Sequence, residues 1–153
     1  MSSAPMTKQL ESGHGATEGT GNSVVDENAR GPFSFRDLAR LDEALTMSSR
    51  ETGLRFTLYV GDLGNDTRAT AEDLHARSGG DVTNSVLVAL SPGQRVLEIV
   101  TGTAAARRLP DRACALAVLS MTNRLGSGDL VGAIVNGLRQ LSDSAGHPSR
   151  RSH

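Results

Sequence analysis

The chain has one cysteine, one lysine and no long apolar run, and these shortages exclude several classes of protein. Cys114 stands alone among 153 residues, so neither an intrachain disulfide nor a cysteine-based zinc site can form. Nowhere do eighteen apolar residues run together, and the N-terminal residues lack the apolar core of a signal peptide. The sequence therefore predicts a cytoplasmic, soluble protein with no membrane-inserted segment.

Charge of either sign is not in excess. The chain carries 16 Lys and Arg residues against 17 Asp and Glu residues, which gives a net charge of −1. Lys8 is the only lysine, a bias typical of GC-rich genomes. Because there is no overall positive field, the composition argues against nucleic acid or an anionic membrane surface as a partner.

Two polar tails flank one folded domain. Residues 1–31 and 143–153 are rich in small and polar residues without hydrophobic periodicity, which predicts disorder. Residues 32–142 are enough for one domain with its own core. The low hydrophobic fraction of 37% fits a compact domain diluted by such tails.

Between the tails the pattern predicts the order α–β–α–β–β–α–α. Residues 54–60 alternate apolar side chains on one face, and SVLVAL (85–90) is an unbroken apolar run typical of a central strand. The first two strands should be parallel through a right-handed crossover, with RVLEIV (95–100) returning antiparallel beside the second. Helices should then cover both faces of a small mixed sheet, which makes the protein an α/β protein.

Four local features carry their own predictions. Pro92 and Gly93 indicate a tight turn with positive φ at the glycine. The run ACALAVLSM (113–121) is apolar almost all round, which predicts a buried helix containing a buried Cys114. His75 falls on a charged helix and is expected at the surface or its boundary.

No self-sufficient catalytic motif is present. GSGDLVG (126–132) matches a loose dinucleotide fingerprint, but a helix precedes it where that motif needs a strand, so it indicates a helix–helix turn. Serine in a nucleophile elbow is missing, and a three-histidine zinc site cannot be assembled. Hydrolysis by a Ser-His-Asp triad is therefore excluded.

The remaining candidate site is acidic. Asp62, Asn65 and Asp66 follow the first strand within five residues, at the end of an α/β sheet where ligands usually bind. A glycine-containing loop can turn such oxygens toward Ca²⁺ or Mg²⁺, although the spacing is not that of an EF-hand. The alternative is that Asp66 caps the next helix and Asp62 is a solvated turn residue.

Strand direction places further polar residues relative to that loop. Because the hairpin reverses, Gln94 and Arg95 should lie at the same rim of the sheet as Asp62 and Asp66. Arg95 is a candidate anion contact there, and the alternative is that it pairs with a carboxylate. Asp111 follows the third strand and should lie at the opposite rim, which makes it a less favoured candidate for a metal ligand shared with this loop.

Three segments together resemble the TPM-domain family: VLVALSPGQRVLEIVTG, LPDRACALAVLS and GDLVGAIVNGLRQL. The resemblance covers residues 34–142 and is greatest to a small actinobacterial branch of uncharacterised proteins. The order of elements carries it rather than any single motif. It implies a three-layer α/β/α sandwich in which Thr101, Gly102, Pro110 and Asp111 form a strand end and a helix start.

The resemblance also implies two kinds of function. Members similar to this domain include membrane-anchored accessory proteins and plant proteins linked with photosystem repair, calcium binding and acid phosphatase activity. Without a signal peptide or anchor, this chain is expected to be a non-enzymatic interaction or accessory module with a protein partner in the cytoplasm, its tail serving as a tether. The alternative is a weak metal-assisted phosphatase that uses Asp62 and Asp66, with Arg95 holding phosphate.

Overall fold

The fold is that of an α/β protein with helices on both faces of one sheet. A computed structural model describes residues 23–25 and 33–147. Within these residues, none of the helices has the length and apolar character needed to cross a bilayer. The elements, in chain order within each type, are strands β1 (Ser23–Val25), β2 (Arg55–Val60), β3 (Ser85–Ser91) and β4 (Val96–Thr101), and helices α1 (Phe35–Thr52), α2 (Thr67–Ala76), α3 (Thr103–Arg108), α4 (Asp111–Gly126) and α5 (Leu130–Ala145).

The sheet is mixed, with the strand order β1-β2-β3-β4. The predicted parallel pairing of β2 with β3 and antiparallel pairing of β3 with β4 are both confirmed. The sequence did not predict β1, which lies inside the expected N-terminal tail and pairs parallel with β2. Residues 1–22 and 26–31 of that tail, residue 32 of the predicted domain, and residues 148–153 of the other tail lie outside the described part of the chain.

Side chains on the two faces of the sheet enter two separate cores. Leu58 and Leu90 face α1, α4 and α5 in the larger core, whereas Tyr59 and Leu87 face α2 in the smaller one. Every residue of β3 is buried, because a strand flanks it on each side and helices cover both of its faces. These layers are the predicted α/β/α sandwich.

Local signals at the helix ends behave as the sequence predicts. Ser34 and Asp37 form a capping box at the start of α1, and Gly53 ends that helix with φ of 78°. Asp129 caps α5 by accepting from Gly132 N at 2.9 Å. Helix α5 runs to Ala145, three residues into the predicted C-terminal tail.

Two single side chains lie differently from the prediction. His75 is only 6% exposed, and its Nε2 lies 3.0 Å from the carbonyl oxygen of Ser85. Because α2 packs on the sheet through the stripe formed by Ala71, Leu74 and His75, the histidine turns inward. Cys114 is half-buried rather than buried, and desolvation followed by the charge of Asp111 raises the pKa of its thiol.

Helix α4 is not the buried helix that its composition predicts. Only Ala117 and Met121 are buried, while the side chains of Leu116 and Leu119 are 51% and 59% exposed. The helix packs chiefly on α5 and β4, and its other face is largely exposed among the described residues. Its approach to α5 is close, since a Cβ at Gly137 would overlap the thioether of Met121.

Candidate functional site

The candidate site lies at the rim formed by the loop after β2 and the turn after β3. Gly61 N donates to Leu90 O at 3.0 Å, so the two segments begin side by side. Residues 61–66 form the loop and residues 92–95 form the turn. The sequence placed both segments at one rim, and the contacts between them confirm that placement.

One amide side chain holds the loop in shape. Gln94 accepts from Leu63 N at 2.8 Å and from Ser91 Oγ at 2.7 Å through its Oε1. Its Nε2 donates to Gly64 O at 2.7 Å. Gln94 thereby satisfies backbone groups of two successive loop residues, Leu63 and Gly64. The sequence predicted that Gln94 lies at this rim but did not predict this role.

The three predicted metal ligands are all exposed on this loop. Asp62 accepts from Gly64 N through Oδ2 at 3.0 Å, and Asp66 accepts from Ala69 N through Oδ1 at 3.0 Å. Each carboxylate thus uses one oxygen to shape the backbone, and Asp66 is the N-cap of α2.

The described part of the chain does not bring acidic, sulfur and imidazole ligands together as a metal centre. Within the described residues, three or more His, Cys, Asp and Glu side chains nowhere converge in a way that could hold a metal ion. Asp111 begins α4, and none of the described hydrogen bonds or ion pairs joins it to the loop. The loop therefore offers Asp62, Asn65 and Asp66 alone, and ion binding there stays a prediction.

The turn differs in one respect from its prediction. Positive φ was expected at Gly93, but the residue in the left-handed region is Arg95, with φ of 57°. Arg95 N donates to Pro92 O at 3.3 Å, so the turn closes one residue later than expected. A turn of this kind ends on a left-handed residue before the returning strand starts.

Arg95 lines a groove that the sequence did not reveal. The groove has a volume of about 380 Å³ and lies between the turn and the end of α4. Its lining residues are Leu90, Pro92, Arg95, Thr122, Leu125, Gly126, Gly128 and Leu130.

Successive side chains of the turn therefore serve different surfaces. Gln94 binds the acidic loop, whereas Arg95 lines the groove beside α4. Among the described residues, the guanidinium of Arg95 has neither a hydrogen bond nor an ion pair, so its predicted pairing with a carboxylate is not observed. None of the described contacts joins Arg95 to Asp62, so these two residues do not form one site for an anion and a metal ion.

The free edge of β4 is partly covered. Arg68 donates to Ile99 O at 2.8 Å, and Thr67 Oγ1 donates to Glu98 Oε2 at 2.8 Å. A side chain that occupies outward backbone oxygens blocks the pairing of another strand at that point.

Solved structures share the fold at low identity. The N-terminal domain of the cg2496 protein from Corynebacterium glutamicum has a TM-score of 0.63 at 17% identity, over 86% of this chain and 88% of that one. The N-terminal domain of a P. gingivalis protein has a TM-score of 0.71 at 17% identity, over 86% of each chain. The BA42 protein of Bizionia argentinensis has a TM-score of 0.66 at 11% identity, over 73% of this chain and 80% of that one.

Two relatives are similar in sequence. They are uncharacterised proteins of Mycobacterium tuberculosis from strain H37Rv (Rv2468c) and strain CDC 1551 / Oshkosh, each 39% identical over 111 residues. The match covers 72% of this chain and 66% of each relative, so the chain spans just under two thirds of their length. Residues 12–142 match a family described as a domain of unknown function, and the chain belongs to that family, DUF5130.

Proposed function

We propose that this chain is a TPM-like, non-enzymatic interaction or accessory module that binds a protein partner through the exposed face of α4. The observation that carries the proposal is the exposure of Leu116 and Leu119, at 51% and 59%. Residues three apart lie on the same side of a helix, so these two side chains form one apolar surface. The cytoplasm remains the predicted compartment, and nucleic acid remains an unexpected partner.

The energetics favour a protein contact at this face. Full burial of a leucine contributes about 1.5–3 kcal/mol, so covering two half-exposed leucines would contribute about 2 kcal/mol to binding. Arg112 and Asn123, four residues before Leu116 and four after Leu119, are both exposed. An apolar centre with a polar rim is the usual anatomy of a protein interface.

The double variant Leu116→Gln/Leu119→Gln tests this proposal. It removes the apolar surface while keeping residues that favour helix, and we expect about thirtyfold weaker binding of the partner, in line with that contribution. Proteins cross-linked to the wild-type chain in cells would first be identified by mass spectrometry. Each would then be purified, and its affinity for the wild-type chain and for the double variant would be measured by titration calorimetry.

Met47→Gln is the matched control, because Met47 is also 51% exposed but lies on α1. Its affinity for the purified partner should equal that of the wild type. If the double variant binds as tightly as the wild type, or if Met47→Gln weakens binding equally, the α4 face is not the interface.

A second candidate is weak metal-assisted phosphatase activity at the acidic loop. It is favoured by the exposure of Asp62, Asn65 and Asp66 on a loop that Gln94 holds in place. The described hydrogen bonds leave Oδ1 of Asp62 and Oδ2 of Asp66 available. Bound Ca²⁺ or Mg²⁺ would supply Lewis acidity toward a phosphate ester, and these oxygens would hold the ion.

Titration with Ca²⁺ and Mg²⁺, followed by amide chemical shifts, tests that candidate. We expect shifts confined to residues 61–68, and hydrolysis of p-nitrophenyl phosphate that depends on the ion and is abolished in Asp62→Asn. Glu43→Gln, which neutralises an exposed acid on α1, should leave both unchanged. Hydrolysis that persists in Asp62→Asn, or no shift at millimolar ion, would reject the phosphatase.

A further inference from the structure

We propose that the groove between the β3–β4 turn and the end of α4 binds a carboxylate with a short apolar body, and that Arg95 pairs with that carboxylate. This surface is distinct from the Leu116 and Leu119 face and from the acidic loop. The inference therefore stands independently of the proposed function.

The walls of the groove suit an apolar body. Pro92, Leu125 and Leu130 are partly exposed and supply the apolar walls, while Leu90 lies fully buried beneath them at the end of β3. The volume of about 380 Å³ lies in the lower part of the range of about 300–1,000 Å³ for small-ligand pockets. A group of a few carbon atoms would lose its contact with water there, which favours binding.

Among the described residues that line the groove, Arg95 is the only charged one. Its backbone has φ of 57°, a conformation that costs a residue with a side chain about 1–2 kcal/mol relative to glycine. The guanidinium makes no described hydrogen bond or ion pair, so it is available to a ligand.

The charge balance favours a monoanion. A guanidinium forms two parallel hydrogen bonds with one carboxylate. Arg124, near the end of α4, is already paired with Asp129 at 3.4 Å. The hydroxyl of Thr122 donates to Val118 O at 2.6 Å. With one positive charge and no further free side-chain donor among the described lining residues, a phosphate dianion would be left partly uncompensated.

The same chemistry has two sources. A free carboxylic acid and the C-terminal residue of a polypeptide both present an apolar group beside one carboxylate. Hexanoate serves as the probe for the first. N-acetyl-Ala-Val-Leu with a free C-terminus serves as the probe for the second, and hexanamide and the amidated peptide are the neutral counterparts.

Two positions in the groove allow variants that should remain folded. Arg95→Gly removes the charge and also the backbone strain, so it should be at least as stable as the wild type. A Cβ at Gly126 would meet nothing within 4 Å, so Gly126→Leu adds apolar bulk at the lining of the groove from a position that accepts a side chain. Gly93→Ala, at a second open glycine, is the matched control.

The test is titration of the full chain with each probe, followed by amide chemical shifts. We expect hexanoate or the free-acid peptide to shift residues 90–95 and 122–130, and each neutral counterpart to bind at least tenfold more weakly. Arg95→Gly and Gly126→Leu should each lose at least tenfold in affinity, Arg95→Lys should lose less, and Gly93→Ala should bind as the wild type does. Tighter binding of hexanoate identifies a free acid as the source, and tighter binding of the peptide identifies a C-terminus.

Three results would overturn the proposal. They are no shift with either acid at millimolar concentration, equal binding of acids and amides, and wild-type affinity in Arg95→Gly. Tighter binding of hexyl phosphate than of hexanoate would overturn the assignment of a carboxylate. Loss of partner binding in Leu116→Gln/Leu119→Gln is a separate measurement, so the two proposals can fail separately.

Discussion

Replacing Gly102 with alanine is expected to lower the free energy of unfolding by about 3 kcal/mol, the upper end of the usual cost of overpacking. A Cβ at this position would lie 2.5 Å from Thr83 O and closer still to Val82 O. Real Cβ atoms do not approach backbone oxygens so closely, so the backbone itself must move. The φ of Gly102 is −70°, which alanine adopts freely, and the cost is therefore steric rather than conformational.

The opposing carbonyls cannot easily retreat. They belong to the single 3-10 turn Val82–Asn84, which is closed by a hydrogen bond from Asn84 N to Asp81 O at 3.1 Å. Gly102 N donates to Ser85 O at 2.9 Å directly after that turn. Moving the turn away would stretch this bond and disturb the end of the β3–β4 pairing.

Gly93→Ala is the control for the loss of a glycine as such. Gly93 is exposed and a Cβ there would meet nothing within 4 Å, so its unfolding free energy should stay within about 0.5 kcal/mol of the wild type. Urea unfolding followed by circular dichroism measures both variants. Equal midpoints and slopes for Gly102→Ala and the wild type would show that the close approach at Gly102 is not maintained in solution.

The strands and helices of the folded domain could be predicted because their signals are local. Ser34, Gly53 and Asp129 mark helix ends through hydrogen bonds and backbone angles that involve only neighbouring residues. The apolar run of β3 is itself the consequence of burial on both faces. Strand β1 could not be predicted in this way, since three residues hold no period and the strand exists only by pairing with β2.

Burial was harder to predict than secondary structure. The composition of α4 shows that the helix is apolar, but not that neighbours cover only the side with Ala117 and Met121. His75 is polar, yet the position of α2 over the sheet places it inside. In both cases the burial of a side chain depends on how many neighbours pack against it, and those neighbours belong to elements distant in the sequence.

The candidate site was predictable in position and not in detail. Strand direction was enough to bring Gln94 and Arg95 to the same rim as Asp62. The left-handed backbone of Arg95 was not predicted, because the proline and glycine before it suggested an earlier turn. The groove depends on the end of α4, about thirty residues further along the chain, so no local pattern indicates it.

Arg108→Met is expected to lower the free energy of unfolding by about 2 kcal/mol, the usual contribution of hydrogen bonds to a charged group. The guanidinium donates to Thr52 O at 2.7 Å, at the end of α1. It also donates to the carbonyl oxygens of Ala145, Gly146 and His147 at 3.1, 2.7 and 3.0 Å, at the end of α5. One side chain of α3 thus joins the C-terminal ends of two other helices.

The last carbonyls of a helix have no partner within that helix, and a positive charge there is favoured by the helix dipole. Methionine keeps much of the apolar stem of Arg108 but supplies no donor, so these carbonyls must find their hydrogen bonds in water. Arg108→Lys should recover part of the loss, because a single ammonium group retains the charge but cannot reach both helix ends in the same planar geometry.

Arg107→Met is the matched control, since Arg107 is the exposed neighbour and has no described side-chain partner. It should unfold within about 0.5 kcal/mol of the wild type. Hydrogen exchange distinguishes a local role from a general one, because Arg108→Met should accelerate exchange first at residues 49–54 and 142–147. If both arginine variants lose the same stability, or exchange accelerates evenly along the chain, Arg108 stabilises the domain through net charge. Faster exchange confined to the two helix ends would show instead that it fastens α1 to α5, two helices that pack against each other on the same face of the sheet.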